Sequence, residues 1–119
     1  MSGYKDLKIY QKAYELARKV HVASLKLPNF ELFEQGSQVR RSSKSIKDAI
    51  AEGYGRRRYH ADYVKFLVYA QASNDECISQ LEMISELYSE LEEFNRLIEE
   101  YHALGKMINK FLQSVENRN

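Results

Sequence analysis

A chain of 119 residues, 44% apolar and 29% charged, can bury one hydrophobic core and is too apolar to remain disordered. Its longest uncharged apolar-rich run, around residues 66–74, is far short of the ~20 residues that span a bilayer, and the opening MSGYKDLKIYQK has no apolar signal segment. The net charge of +1 is divided: residues 1–65 carry 14 basic and 7 acidic side chains, a net of +7, and residues 66–119 carry 4 and 10, a net of −6. Such a division suits two partners. The basic half can meet a polyanion, or it can meet the acidic half of the same or a neighbouring subunit. Cys77 is the only cysteine, which excludes an internal disulfide and points to a reducing, cytoplasmic setting without a membrane partner.

In chain order, the first predicted helix covers residues 5–26. Tyr10, Ala13, Tyr14, Ala17, Val20, Ser24 and Leu25 form its inward stripe, and Lys5, Lys8, Lys12, Lys19 and Lys26 its solvated side. Pro28 and Asn29 break the helix. Phe30, Leu32 and Phe33 in the connection predict a loop folded back over the end of the bundle. The second helix covers 37–54, with Ser37 as its N-cap. Val39, Ser43, Ile46, Ile50 and Gly53 recur at helical spacing, widened by Ser42 and Ala49, and their small size predicts a close helical neighbour. On the other flank Arg40, Lys44 and Lys47 form a basic stripe. Gly53 and Gly55 predict a left-handed C-terminal cap.

The third helix covers 60–88, with Tyr63, Phe66, Leu67, Ala70, Asn74, Cys77, Leu81, Ile84 and Tyr88 inward. The fourth covers 91–115 and keeps a nearly heptad stripe from Phe94 through Leu97, Ile98, Tyr101, Leu104, Gly105, Ile108 and Leu112 to Val115. The polar tail, 116–119, is expected to fray. No stretch alternates with period two. Four stripes joined by short loops predict an all-α, antiparallel up-and-down four-helix bundle, a single domain over residues 1–119.

Little in the chain is catalytic in pattern. A di-iron bundle needs two Glu-x-x-His pairs and two further inward glutamates. Glu99 and His102 make one pair and there is no second, so a solvated surface pair is expected and no metal site. Arg96 and His102 have the spacing of small helical ribonucleases of the HEPN class, but six residues put them ~120° apart around the helix. Cys77 lies on an apolar stripe as a small core residue. Gly53-x-Gly55 follows no strand and lacks the further glycine of a phosphate loop, so no cofactor is expected.

The basic junction is the main candidate site. Arg56, Arg57 and Arg58 follow directly on Gly55 and are flanked by Tyr54 and Tyr59. Guanidinium groups pair with phosphate in a planar, two-pronged way. Tyr54, Tyr59 and Tyr63 can stack on unpaired bases, at about 1–3 kcal/mol per base. Arg40, Lys44 and Lys47 extend the cationic track along the second helix. A purely structural role is also open, since cations near a helix C-terminus offset the macrodipole.

The chain resembles the four-helix-bundle proteins encoded in 23S ribosomal RNA intervening sequences, themselves similar to the accessory proteins of diversity-generating retroelements. The likeness rests on Tyr4-Lys5-Asp6-Leu7, Ala13, Leu16-Ala17, Leu27-Pro28 and Glu31. It is strongest in Ser37-Gln38-Val39-Arg40-Arg41-Ser42, Ser45-Ile46, Ile50-Ala51-Glu52-Gly53 and Gly55-Arg56. Phe66-Leu67, Ala70, Ser73, Glu76 and Gln80-Leu81 continue it. Lys47, Ala49 and Ala72 depart from the family pattern, and the chain is less basic than the retroelement proteins. The resemblance implies a bundle assembled as a homopentameric ring, without enzymatic activity, binding RNA or DNA and in some systems a reverse transcriptase. It implies phosphate contact for Arg40, Arg41 and Arg56. Lys44, Lys47, Arg57, Arg58 and Tyr59 join the candidate nucleic-acid surface on local charge alone, and Glu52 is expected to orient an arginine or to pair across subunits. The competing expectations are a structural oligomer or protein-binding adaptor and, last, a helical ribonuclease.

Overall fold

A computed structural model describes residues 3–118. After a 3-10 turn at Tyr4–Asp6 come α1 (Lys8–Ser24), the single-turn α2 (Asn29–Leu32), α3 (Gln35–Gly55), α4 (His60–Leu87) and α5 (Glu93–Glu116). There is no strand among the described residues. The protein is an all-α four-helix bundle, and its 48 × 22 × 21 Å envelope is set by α4, whose 28 residues span about 42 Å at ~1.5 Å each.

Pairs between helices show the chain direction. Ser42 bonds Gln80, Ser45 bonds Ser73, and Gly53 abuts Phe66, so numbers rising along α3 fall along α4. Gln71 with Asn109 and Ser85 with Asn95 give the same reversal between α4 and α5. Neighbouring helices are therefore antiparallel.

One apolar cluster draws on all four long helices. Val39, Ile46 and Ile50 of α3, Leu67, Leu81 and Ile84 of α4, and Phe94, Tyr101, Leu104 and Ile108 of α5 are fully enclosed. On α3 the small residues bring α4 close, because a Cβ on Gly53 would lie 3.0 Å from Phe66 Cβ. Cys77 is buried, and desolvation pushes its thiol up to about 12.

Four local expectations are corrected. The α1 stripe is Ile9, Ala13, Leu16, Ala17, Val20, Ala23 and Ser24, while Tyr14 and Leu25 are exposed and Tyr10 is half-buried. The aliphatic residues set the phase, and each tyrosine lies along the flank of the helix. Phe30 and Phe33 do not fold over the bundle end; they are 70% and 75% exposed, and it is Glu31 that turns inward. Its carboxylate accepts from Tyr88 Oη at 2.9 Å and from the Gln35 N–H at 3.4 Å, so it caps α3 and favours the positive end of that helix. Ser37 is accordingly inside α3 rather than at its N-cap. At the other end the helix continues through Gly53 to Gly55, and no glycine among the described residues has a positive φ. Gly53 provides close approach, not a left-handed cap. In the tail, Glu116 is still helical, and Asn119 lies outside the described residues.

Three lysines of the side expected to be solvated instead join α1 to α5. Lys12 and Lys19 bridge to Glu100, at 3.2 and 3.3 Å, and Lys26 pairs with Glu93. Part of the basic half is thus neutralised by the acidic half of the same chain. No helix among the described residues is long and apolar enough to cross a membrane.

Candidate nucleic-acid interface

α3 and the α3–α4 connection carry all eight candidate residues, and the fold divides them. Arg40 is drawn inward. Its Nη1 donates to Ser24 Oγ at 2.8 Å and its Nη2 to the Leu32 carbonyl at 2.9 Å, pinning α3 to the end of α1 and to α2. Ser24 in turn donates to the His21 carbonyl. Lys47 is half-buried against α1. Its ammonium bonds Asp48 at 2.7 Å and lies 5.9 Å from the centre of the Tyr14 ring. The Asp48 hydrogen bond raises its pKa, and burial opposes the rise.

Arg41 and Lys44 are exposed, and neither engages a side-chain partner among the described residues. Arg41 lies in a shallow groove between α3 and α4 with Gln38, Ser45, Glu76 and Gln80. One acidic residue in that groove leaves the arginine in competition between Glu76 and any bound anion.

At the junction each arginine rests on an aromatic ring. Arg56 lies 5.0 Å from the Phe66 ring, Arg57 4.0 Å from Tyr54, and Arg58 5.9 Å from Tyr59. Such contacts hold a cation in place without consuming its hydrogen-bond donors. Arg56 is nevertheless the most committed of the three. Its Nε donates to Glu52 at 2.9 Å and its Nη1 to Asp62 at 3.4 Å, and the Glu52 bond leads in raising its pKa. Glu52 therefore orients an arginine of its own chain. Arg57 spends one donor on the Tyr54 carbonyl, at 2.8 Å, and Arg58 spends none among the described residues. Tyr59 is 63% exposed, whereas Tyr63 is buried and meets Tyr54 edge-on at 6.3 Å. Arg57, Arg58 and Tyr59 are thus the open members of the junction, and Arg41 and Lys44 those of the helix. Tyr54 is engaged by Arg57, and Tyr63 belongs to the core.

Asp62 and Phe66, which complete the setting of Arg56, were not expected there. The four-residue spacing of Asp62 and Phe66, one helical turn, is visible in the sequence, but the turn that swings both beneath Arg56 is not.

The other candidates separate. Arg96 faces the groove between α1 and α5 with Glu93 and Glu100, and His102 lines the groove between α4 and α5 with Asn74 and Asp75. The two share no site. No group of three or more His, Cys, Asp or Glu side chains among the described residues is placed to hold a metal ion.

The family model for the 23S rRNA-intervening sequence protein matches residues 5–110. The chain belongs to this family. Comparison with curated proteins finds no match. The match takes in every candidate residue, from Arg40 to Tyr59, as well as Lys12, Lys19 and Lys26.

Proposed function

We propose that this member of the family is a non-enzymatic, ring-forming subunit that binds RNA or DNA through an exposed cationic surface. In this reading it acts in the cytoplasm as an accessory to an RNA-processing or reverse-transcriptase system. The observation that carries the reading is the basic junction. Arg57 and Arg58 stand exposed at one end of the bundle, each beside a tyrosine ring, with Tyr59 open beside them. Arg41 and Lys44 prolong the surface along α3, about 22 Å from Arg41 to Arg56 at ~1.5 Å per residue. Arg40 and Arg56 contribute mainly by positioning, since each already commits two of its five donors within the chain. A homopentamer would repeat the open cluster, so that contacts weak singly gain by multivalency.

The exposed apolar end of the bundle, with Val22, Leu25, Phe30, Phe33 and Leu87, supports assembly and favours a second reading, a structural oligomer or protein-binding adaptor. The two readings part on one experiment: binding of a labelled structured RNA and of single-stranded DNA across a salt series. About five phosphate contacts would weaken binding roughly 10²–10³-fold between about 50 and 200 mM salt. Arg57→Ala with Arg58→Ala should lower the affinity and the salt slope while leaving the assembly intact. Loss of the assembly in that variant, or no binding even at low salt, would favour the adaptor.

A further inference from the structure

A groove of ≈ 750 Å³ lies over α1 and is not part of the basic junction. Its floor and rim include Tyr10, Tyr14, Lys5, Lys8 and Arg18. Tyr4, Tyr10 and Tyr14 form a ladder. Tyr4 meets Tyr10 edge-on at 4.8 Å, and Tyr14 follows at 6.1 Å. Tyr4 lines not this groove but the small one that holds Arg56, and its contact with Tyr10 joins the two, so the ladder begins where the junction ends. Tyr14 is the open rung, 46% exposed, with the Lys47 ammonium 5.9 Å away.

The charge around the ladder is unevenly matched. Glu52 engages Arg56, Asp48 engages Lys47, Glu15 engages Lys12, and Asp6 accepts from the Gly3 N–H. Lys5, Lys8 and Arg18 have no side-chain partner among the described residues and rim the groove. Aromatic rings between unpaired cations are the combination that takes a single strand, with bases on the rings and phosphates on the rim. A duplex keeps its bases stacked inside and cannot use the rings.

We infer that the Tyr4–Tyr10–Tyr14 ladder, rimmed by Lys5, Lys8 and Arg18, is a stacking groove for single-stranded nucleic acid, continuous with the basic junction. The inference rests on the nucleic-acid reading above and adds what that reading lacks, a preference for unpaired bases.

The test is fluorescence anisotropy with a labelled single strand of about 15 nucleotides, within the range of known single-strand sites, and a hairpin duplex of similar charge. Tyr14→Ala should weaken the single strand about 10-fold, the loss of one stacked base, and the duplex less than about 2-fold. Tyr14→Phe, which keeps the ring, should restore single-strand binding. Lys5→Gln with Lys8→Gln, both on exposed side chains, should lower the single-strand salt slope by about 1.4 and reads the groove even where Tyr14→Ala unfolds. The inference is overturned if single strand and duplex weaken equally in Tyr14→Ala, or if neither the tyrosine nor the lysine variant changes binding while Arg57→Ala with Arg58→Ala does. In the second case the junction stands without the ladder. If the unaltered protein binds neither probe at low salt, the nucleic-acid reading and this inference fall together, and the groove is left to a protein partner.

Discussion

Arg40 and Arg41 are neighbours with opposite duties. The first gives two donors to Ser24 and to the Leu32 carbonyl, and the second is exposed. Arg40→Ala should therefore lower stability by about 2 kcal/mol, since two hydrogen bonds from a charged donor are lost and the buried Ser24 hydroxyl keeps only its bond to the His21 carbonyl. Arg41→Ala should stay within about 0.5 kcal/mol of the parent, as is usual for exposed positions. Urea unfolding of both variants checks the contrast, and equal stabilities would mean that Arg40 is as open as its neighbour. Cys77 offers a second check at this scale. Burial pushes its thiol up to about 12, so almost no thiolate forms at neutral pH. An aromatic disulfide reagent should leave the folded protein unmodified and react with it only in denaturant; fast labelling of the native protein would show that the core opens at α4.

Between elements, the α1–α5 seam makes stability depend on pH. Lys26 is the leading cause of a lowered Glu93 pKa. For Glu100 burial acts upward and is the largest single influence, but the hydrogen bonds from Lys12 and Lys19 outweigh it and the pKa falls below 4.5. A carboxylate with a lowered folded pKa contributes stability above its unfolded pKa and loses that contribution as pH falls through the folded value. Stability should thus decline as pH drops below about 4.5, and the decline should be shallower in Glu93→Gln with Glu100→Gln. Thermal melts across that range decide; an unchanged slope would place acid sensitivity elsewhere. The α3–α4 contact makes a steric prediction. Gly53→Ala gains about 1 kcal/mol in helix propensity, but its new Cβ must meet Phe66 Cβ, an atom tied to the α4 backbone, at 3.0 Å. Overpacking of ~1–3 kcal/mol should outweigh the gain and leave the variant about 1 kcal/mol less stable.

Over the whole molecule, the two ends differ in kind. Arg57, Arg58 and Tyr59 stand at the end where α3 meets α4, and Phe30, Phe33, Val22, Leu25 and Leu87 at the opposite one. An apolar end left open to water favours a covered position in an assembly. In the proposed ring, Phe30→Asp with Phe33→Asp should shift the protein toward monomers in light scattering while leaving its helicity unchanged, because neither ring is packed in the core. If the assembly persists, its contacts lie along the sides of the bundle. The Lys12, Lys19 and Lys26 pairs reduce the charge available for joining subunits, since they are satisfied within the chain.

The bundle was legible in the sequence because helical periodicity is local. The α3, α4 and α5 stripes name nearly every core residue of those helices, and the residues quoted between Ser37 and Arg56 carry the resemblance to the family. Periodicity does not say which of two apolar phases wins, so α1 turned on Ile9 and Leu16 and left Tyr14 on the surface. Nor does it say where a long side chain finds a partner. Arg40, Lys47 and Arg56 read as one cationic track, yet Ser24, Asp48 and Glu52 with Asp62 each claim one of them. Ser24 lies 16 residues away and reaches Arg40 only once α1 and α3 have packed. Glu31 is inward and Phe33 outward because a buried carboxylate can be satisfied by Tyr88 and by the start of α3, an arrangement that exists only when α2, α3 and the end of α4 meet. The sequence by itself determined the helices and most of their inward faces; the tertiary structure decided which cations stay free, because a side chain's freedom depends on neighbours brought together by packing rather than by chain order.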